Sequence, residues 1–318
     1  MEKKLVVLVG PTASGKTEVA ERLIQQYPLE IISADSRQVY KFMDIGTGKP
    51  QRKELHRLID VLKPDEEFTA ADYKKKAEKA MREIYRKRKV PFLVGGSGLY
   101  IRAVIDGLCS APSANWQIRK KLEAEANQCG NIFIYNRLKE IDHIAANRIH
   151  PNDRRRIIRA LEVYEQTGNP FSYYQTKTRI PDYDLLIIGI RYSLNELYSR
   201  VNRRVDLMIE MGLVKEVEGL LAAGFKENLK SIESLGYKEI MGYLSGKHKL
   251  ENAIQLLKRN TRRYARRQMI WFRKDKRTKW IDAKDGNVSA IIKEAGEILE
   301  DNIFKGTYMG VTKSLLIQ

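Results

Sequence analysis

Cysteine is nearly absent from this chain, with two residues, Cys109 and Cys129, in 318. Two cysteines cannot build a disulfide framework, and with four scattered histidines they offer no zinc-type ligand spacing. A reducing cytoplasm is therefore the expected compartment. Long apolar runs are missing too: residues 5–9 and 185–188 fall far short of the ~18 that mark a membrane helix, so no membrane partner is expected. The first run is also too short for an export signal and leads directly into a Gly-Lys-Thr loop. The third deficit is acid. Forty Asp and Glu against 58 Lys and Arg leave a formal charge of +18. Such an excess draws polyanions from a distance and is silent about fold, so a phosphate-rich partner is the first expectation. What is present, 43% apolar and 31% charged residues, excludes a disordered chain. At ~150 residues per domain, the length suggests about two domains.

The opening reads strand, turn, helix. Residues 5–9 are β-branched and continuously apolar, as strands covered on both faces are, and a helix begins at Gly15 or Lys16. Comparable runs lie at residues 30–33, 58–62, 90–94 and 185–190. Helical patterns lie between them, notably residues 70–89, where Thr69 and Asp72 form a capping-box pair. Strands alternating with helices predict a parallel sheet flanked by helices. From Ser113 the pattern turns helical and polar, with Ser113 and Asn152 as N-cap candidates and residues 131–135 readable as strand or helix. The sheet-like style resumes at Leu185. The expected organisation is therefore a core of residues 1–112 and 183–318 around a helical insertion, 113–182. A last strand is expected at residues 278–282, and the tail after Phe304 carries no signal.

Gly10-Pro11-Thr12-Ala13-Ser14-Gly15-Lys16-Thr17 fits G-x-x-x-x-G-K-[ST] and sits between a strand and a helix, the context that motif needs. The glycines let successive N–H groups and the helix N-terminus converge on one anion. Lys16 adds a point charge, and the Thr17 hydroxyl can ligate Mg²⁺. The usual reading is ATP or another nucleotide, but a hydrolysing NTPase also needs a metal-binding Asp at the end of an apolar strand. Residues 90–94 end instead in Gly95-Gly96-Ser97-Gly98, and Asp60 is the one substitute nearby. The loop therefore grips a diphosphate that need not belong to ATP.

Asp35, in Asp35-Ser36-Arg37-Gln38-Val39-Tyr40, emerges at the carboxyl end of the second strand, beside the loop. It can be a general base, a metal partner or a helix cap, and Gln38 carries the donor and acceptor that suit an adenine edge. Together with residues 10–17, the stretches 35–40, 44–50 (DIGTGKP), 95–100 and 150–153 (HPND) resemble the tRNA dimethylallyltransferase, or isopentenyltransferase, family. Residues 235–237 and 266–273 (RRQMIWFR) extend the likeness to about residue 282. The departures are Gly48 for the usual Ala, Leu55-His56-Arg57 for Pro-His-His, and Glu233 where some members are basic.

The resemblance implies transfer of a dimethylallyl group from its diphosphate to N6 of the adenosine 3′ of the anticodon, with release of diphosphate. It implies a P-loop NTPase-like α/β fold, Asp35 as general base, and Lys16, Thr17 and Mg²⁺ on the diphosphate. It also implies that Asp35, Ser36, Arg37 and Gln38 meet the target nucleotide, with further tRNA contacts from Ser97, Arg119, Arg155, Arg156 and Arg159. Arg204, at the edge of the apolar stripe through Leu197, Val201, Val205 and Met208, either pairs with an internal carboxylate or reaches the diphosphate. The resemblance favours the second, with Arg200 the weaker candidate. Residues 258–279 carry 11 Lys or Arg and one acid. They place Arg259, Arg262, Arg263, Arg266 and Arg273 on one helical side, suited to a phosphate backbone. The expected partners are the tRNA anticodon stem-loop and dimethylallyl diphosphate, met by a monomer. The competing expectations are a P-loop small-molecule kinase using ATP and a non-catalytic RNA-binding protein.

Overall fold

The computed structural model describes residues 3–304 apart from 177–179, 226–228, 230 and 284–286. The tail after Phe304 lies outside the described residues. The chain divides into two compact units, residues 1–105 with 182–318, and residues 106–181. The insertion thus starts at Asp106, seven residues before the expected Ser113.

In the first unit, β1 (Lys4–Val9) leads through the phosphate loop into α1 (Lys16–Gln26), then β2 (Leu29–Ser33), β3 (His56–Arg57), α2 (Ala70–Arg86), β4 (Val90–Gly95) and α3 (Gly98–Ile105). Thr69 and Asp72 make the predicted capping box at the start of α2. The second unit is helical: α4 (Trp116–Cys129), α5 (Asn131–Ile141), α6 (His143–Ala146), α7 (Arg154–Thr167) and α8 (Phe171–Thr176). Residues 131–135 are therefore helix. The caps of α4 and α7 are Asn115 and Asp153, not Ser113 and Asn152. Back in the first unit come β5 (Asp184–Arg191), α9 (Leu194–Glu210), α10 (Leu213–Ala222), α11 (Tyr237–Leu244), α12 (Leu250–Phe272), β6 (Thr278–Asp282) and α13 (Val288–Asn302).

The six strands are all parallel, in the order β3-β2-β4-β1-β5-β6. Their alternating side chains feed two apolar cores, one per face: Val6, Leu8 and Ile188 on one, Leu5, Val7 and Ile187 on the other. That explains why the strands read as continuous apolar runs. β1 is central, between β4 and β5, so its carboxyl end opens where chain connections diverge, the place such sheets hold ligands. The arrangement is the predicted P-loop NTPase-like α/β fold. The expected strand at residues 58–62 is not one. Leu58 and Asp60 are left-handed, at φ 64° and 55°. The segment pairs instead with residues 38–40, through Val61 N–H to the Val39 carbonyl at 2.7 Å. Among the described residues, no helix is long and apolar enough to cross a membrane.

Candidate active site

The phosphate loop curls because Ala13 and Gly15 take left-handed backbone, at φ 65° and 80°. Ser14 is fully buried beneath the turn. Lys16 folds back, its Nζ donating to the Pro11 carbonyl at 2.6 Å. The Thr17 hydroxyl, in the first turn of α1, has no partner among the described residues.

Asp35 follows β2, whose ladder with β4 ends at Ser33 and Val94. Its Oδ1 accepts from the Arg37 and Gln38 N–H groups at 2.8 and 3.3 Å, while Oδ2 has no hydrogen-bond partner among the described residues. One oxygen fixes the side chain and the other stays available. Ser97 Oγ accepts from Ser36 N–H at 2.8 Å, tying the Asp35 segment to the start of α3. Gln38 is held at both ends: Ser33 Oγ donates to Oε1 at 3.1 Å, and Nε2 donates to the Gly48 carbonyl at 3.2 Å.

Arg204 has no carboxylate within ion-pair distance among the described residues; its NH2 donates to the Thr47 carbonyl at 3.4 Å. The internal-pair alternative is thereby removed. Gly48 makes room for it: at φ 59°, a Cβ there would lie 1.8 Å from that NH2. Arg200 also reaches the loop, donating from Nε to the Ala13 carbonyl at 2.9 Å.

The electrostatics join these groups. Burial first, then the Arg204 charge, lower Lys16 to about 7, against an opposing pull from Asp35. Burial likewise lowers Arg204, partly offset by Asp35. Tyr264 is pushed up to about 12 by burial and then by Asp35. Two cations with no anion to share and a half-free carboxylate therefore occupy one field, an arrangement that welcomes a polyanion.

One residue of the RRQMIWFR stretch, assigned no role from sequence, completes the cradle. Gln268, buried on α12, accepts from Thr12 N–H at 2.8 Å and donates to the Gly96 carbonyl at 2.9 Å, linking the phosphate loop to the turn after β4. The readable signal was an amide on the stripe formed by Leu257, Thr261, Ala265 and Met269. Asp60, the possible metal carboxylate, is bound instead to Lys49 and Lys53 at 2.6 and 3.0 Å.

The basic residues sort by partner. Arg259, Arg263 and Arg266 on α12 and Arg273 at its C-cap are exposed, whereas Arg262 is partly buried and donates to Asn202 at 2.6 Å. Two clefts lie along the helix, one of about 290 Å³ beside Arg263 and Arg267, another of about 480 Å³ beside Arg259 and Arg262. In the insertion, Arg155 and Arg156 are exposed. Arg119 and Arg159 instead clasp the fully buried Glu162, at 3.0 and 2.7 Å. These four arginines, expected as one RNA-facing set, thus divide into two that hold the helices together and two that face solvent.

The sequence profile described as IPP transferase matches residues 38–275. The chain belongs to the IPP transferase family. A curated IPP transferase relative, tRNA dimethylallyltransferase 2 of Geotalea uraniireducens, is 50% identical over 285 residues, 88% of this chain and 92% of that protein. The tRNA dimethylallyltransferase of Alkaliphilus oremlandii is 45% identical over 97% of this chain and 99% of its own. Among solved structures, the full-length tRNA isopentenylpyrophosphate transferase of Bacillus halodurans is 41% identical, with a TM-score of 0.68 over 95% of this chain and 98% of that one. A eukaryotic dimethylallyltransferase, described as acting on tRNA, matches at 27% identity and a TM-score of 0.79, over 94% of this chain and 80% of its own. Membership in the IPP transferase family disfavours the small-molecule kinase.

Proposed function

We propose that this IPP transferase moves a dimethylallyl group from dimethylallyl diphosphate to N6 of the adenosine immediately 3′ of the anticodon in tRNA, releasing diphosphate. The observation that carries the reading is Asp35, a carboxylate with one unbonded oxygen in the same field as Lys16 and Arg204. Asp35 Oδ2 takes a proton from the N6 amine, a poor nucleophile until that proton leaves. N6 then bonds to C1 of the dimethylallyl group, and the C1–O electron pair departs with the diphosphate. Lys16, Arg204 and the loop N–H groups hold the charge that develops on that leaving group. The adenine must unstack to enter, at a cost of a few kcal/mol that is smallest in an unpaired anticodon loop.

Magnesium suits this donor set. Mg²⁺ takes one or two protein oxygens with waters and phosphate, and the unpartnered Thr17 hydroxyl beside the cradle is such an oxygen. When bound it would neutralise charge on the diphosphate. The proposal gives tRNA contacts to Ser36, Arg37, Gln38 and Ser97 at the target nucleotide. It gives backbone contacts to Arg155, Arg156, Arg262, Arg263 and Arg266, with Arg119 and Arg159 supporting that surface through Glu162. A monomer in the cytoplasm belongs to the same reading, which the two free cysteines favour.

The test offers unmodified tRNA, Mg²⁺ and dimethylallyl diphosphate labelled in the allyl group, and in parallel γ-labelled ATP with small acceptors. Label should enter tRNA alone. Asp35→Asn should slow single-turnover transfer by about 10²- to 10⁴-fold while tRNA affinity stays within about twofold. A variant turning over at the parent's rate would remove Asp35 as the base, and label passing from ATP would restore the kinase.

A further inference from the structure

Three consecutive backbone N–H groups converge on one side chain. Asp44 and Ile45 donate to Glu216 Oε2 at 2.8 and 2.7 Å, and Gly46 donates to Oε1 at 3.0 Å. The Tyr237 hydroxyl, at the start of α11, donates to the same Oε1 at 2.6 Å. Gly46 is pressed so closely onto Tyr237 that a Cβ would lie 2.5 Å from its ring. Four hydrogen bonds to one carboxylate from α10 thus fix the loop over residues 44–46.

The next two residues of that loop do the contacting. The Thr47 carbonyl accepts from Arg204 and the Gly48 carbonyl from Gln38. With no carboxylate on Arg204 among the described residues, its guanidinium rests on the Thr47 carbonyl and against the bare Cα of Gly48. A shift of the loop by a fraction of an ångström would move Arg204 with it, and a misplacement of ~1 Å in a binding group can cost about a hundredfold.

We propose that Glu216 is a positioning residue for the transfer reaction. Braced by Tyr237, it sets the loop over residues 44–48 and through it the placement of Arg204 on the diphosphate. The inference rests on the reading of Arg204 as a diphosphate ligand. Glu216 touches neither substrate; its effect falls chiefly on the donor, through Thr47, Gly48 and Arg204, and to a lesser extent on the target adenosine, through Gly48 and Gln38.

The test measures KM for dimethylallyl diphosphate and for tRNA separately, with thermal unfolding as a control, in Glu216→Ala, Glu216→Gln, Tyr237→Phe and Arg204→Ala. Glu216→Ala should raise the donor KM about tenfold or more and the tRNA KM by a clearly smaller factor, through Gly48 and Gln38. Glu216→Gln keeps an oxygen for Asp44 and Ile45 but turns an amide NH2 on Gly46 N–H and the Tyr237 hydroxyl. It should show a smaller loss of the same kind, as should Tyr237→Phe, and these two carry the test if the alanine variant does not fold. Combined with Arg204→Ala, Glu216→Ala should add little to the donor KM, because both act on one contact. A parental donor KM, a loss shared equally with tRNA, or full additivity with Arg204→Ala would overturn the inference. An unchanged donor KM in Arg204→Ala would instead refute the assignment of Arg204 on which it rests.

Discussion

Donor affinity should fall steeply with pH in a range where an ordinary lysine does not titrate. Lys16 is lowered from 10.5 to about 7 in the ligand-free protein, first by burial and then by Arg204. A diphosphate placed against it adds an attraction that outweighs both causes, so the bound state holds the proton, whereas the free state largely loses it above pH 7. Binding must then take up a proton. A group titrating at about 7 is ~0.5 charged at pH 7 and ~0.01 charged at pH 9, so affinity should weaken about fiftyfold across that interval. A lysine at its usual value would lose only a few per cent of its charge over the same interval. The range also lies above the last ionisation of a phosphate monoester, at about 6, which keeps the donor's own titration out of the signal. The assay is calorimetric binding of a non-reacting dimethylallyl diphosphate analogue, in two buffers of different ionisation enthalpy. At pH 8 the uptake should be ~0.9 proton, and at pH 7 ~0.5. Lys16→Arg, which stays charged throughout, should bind with no pH dependence from this source. A flat affinity in the parent protein, or the same slope in the arginine variant, would refute the coupling.

Gln268→Leu keeps the side chain's bulk but leaves Thr12 N–H and the Gly96 carbonyl without their partner. Urea unfolding should register a loss of about 1–3 kcal/mol together with a higher donor KM, and unchanged stability would count against the link. Glu162→Gln should destabilise the helical insertion by about 3–5 kcal/mol, since Arg119 and Arg159 lose a fully buried carboxylate. Hydrogen exchange should accelerate within residues 106–181, and unaltered protection there would contradict this. Changing Arg262, Arg263 and Arg266 together to Gln should lower the slope of log tRNA affinity against log salt by about two. An identical slope would remove the basic helix from the RNA interface.

Sequence alone carried the central sheet because parallel strands buried on both faces leave unbroken apolar runs. β6 at Thr278–Asp282 and the Thr69–Asp72 capping box were legible for local reasons as well. Residues 58–62 misled because their apolar positions are real but serve pairing with residues 38–40, across left-handed Leu58 and Asp60 that no ladder tolerates. The cap positions slipped by one or two residues where adjacent side chains were equally able to cap. At the site, Lys16, Thr17 and Asp35 stand in recognisable strings. Gln268 stands in the RRQMIWFR stretch as well, but neither its role nor that of Glu216 is readable there, because their partners lie 256 and about 170 residues away in the chain. No local pattern records such a meeting. Arg119 and Arg159 show the converse: two arginines near others invite a shared role, while a single glutamate on the buried face of α7 decides otherwise.

The discontinuous first unit has a consequence for biosynthesis. β1 pairs with β4 on one side but waits for β5 on the other, and Gln268 arrives later still. A ribosome therefore exposes the glycine-rich turn long before the segments that seat it. Until residue 268 has been made the nascent chain has no finished anion cradle, so a premature stop before it would yield a polypeptide with the motif in its sequence and an unfinished site.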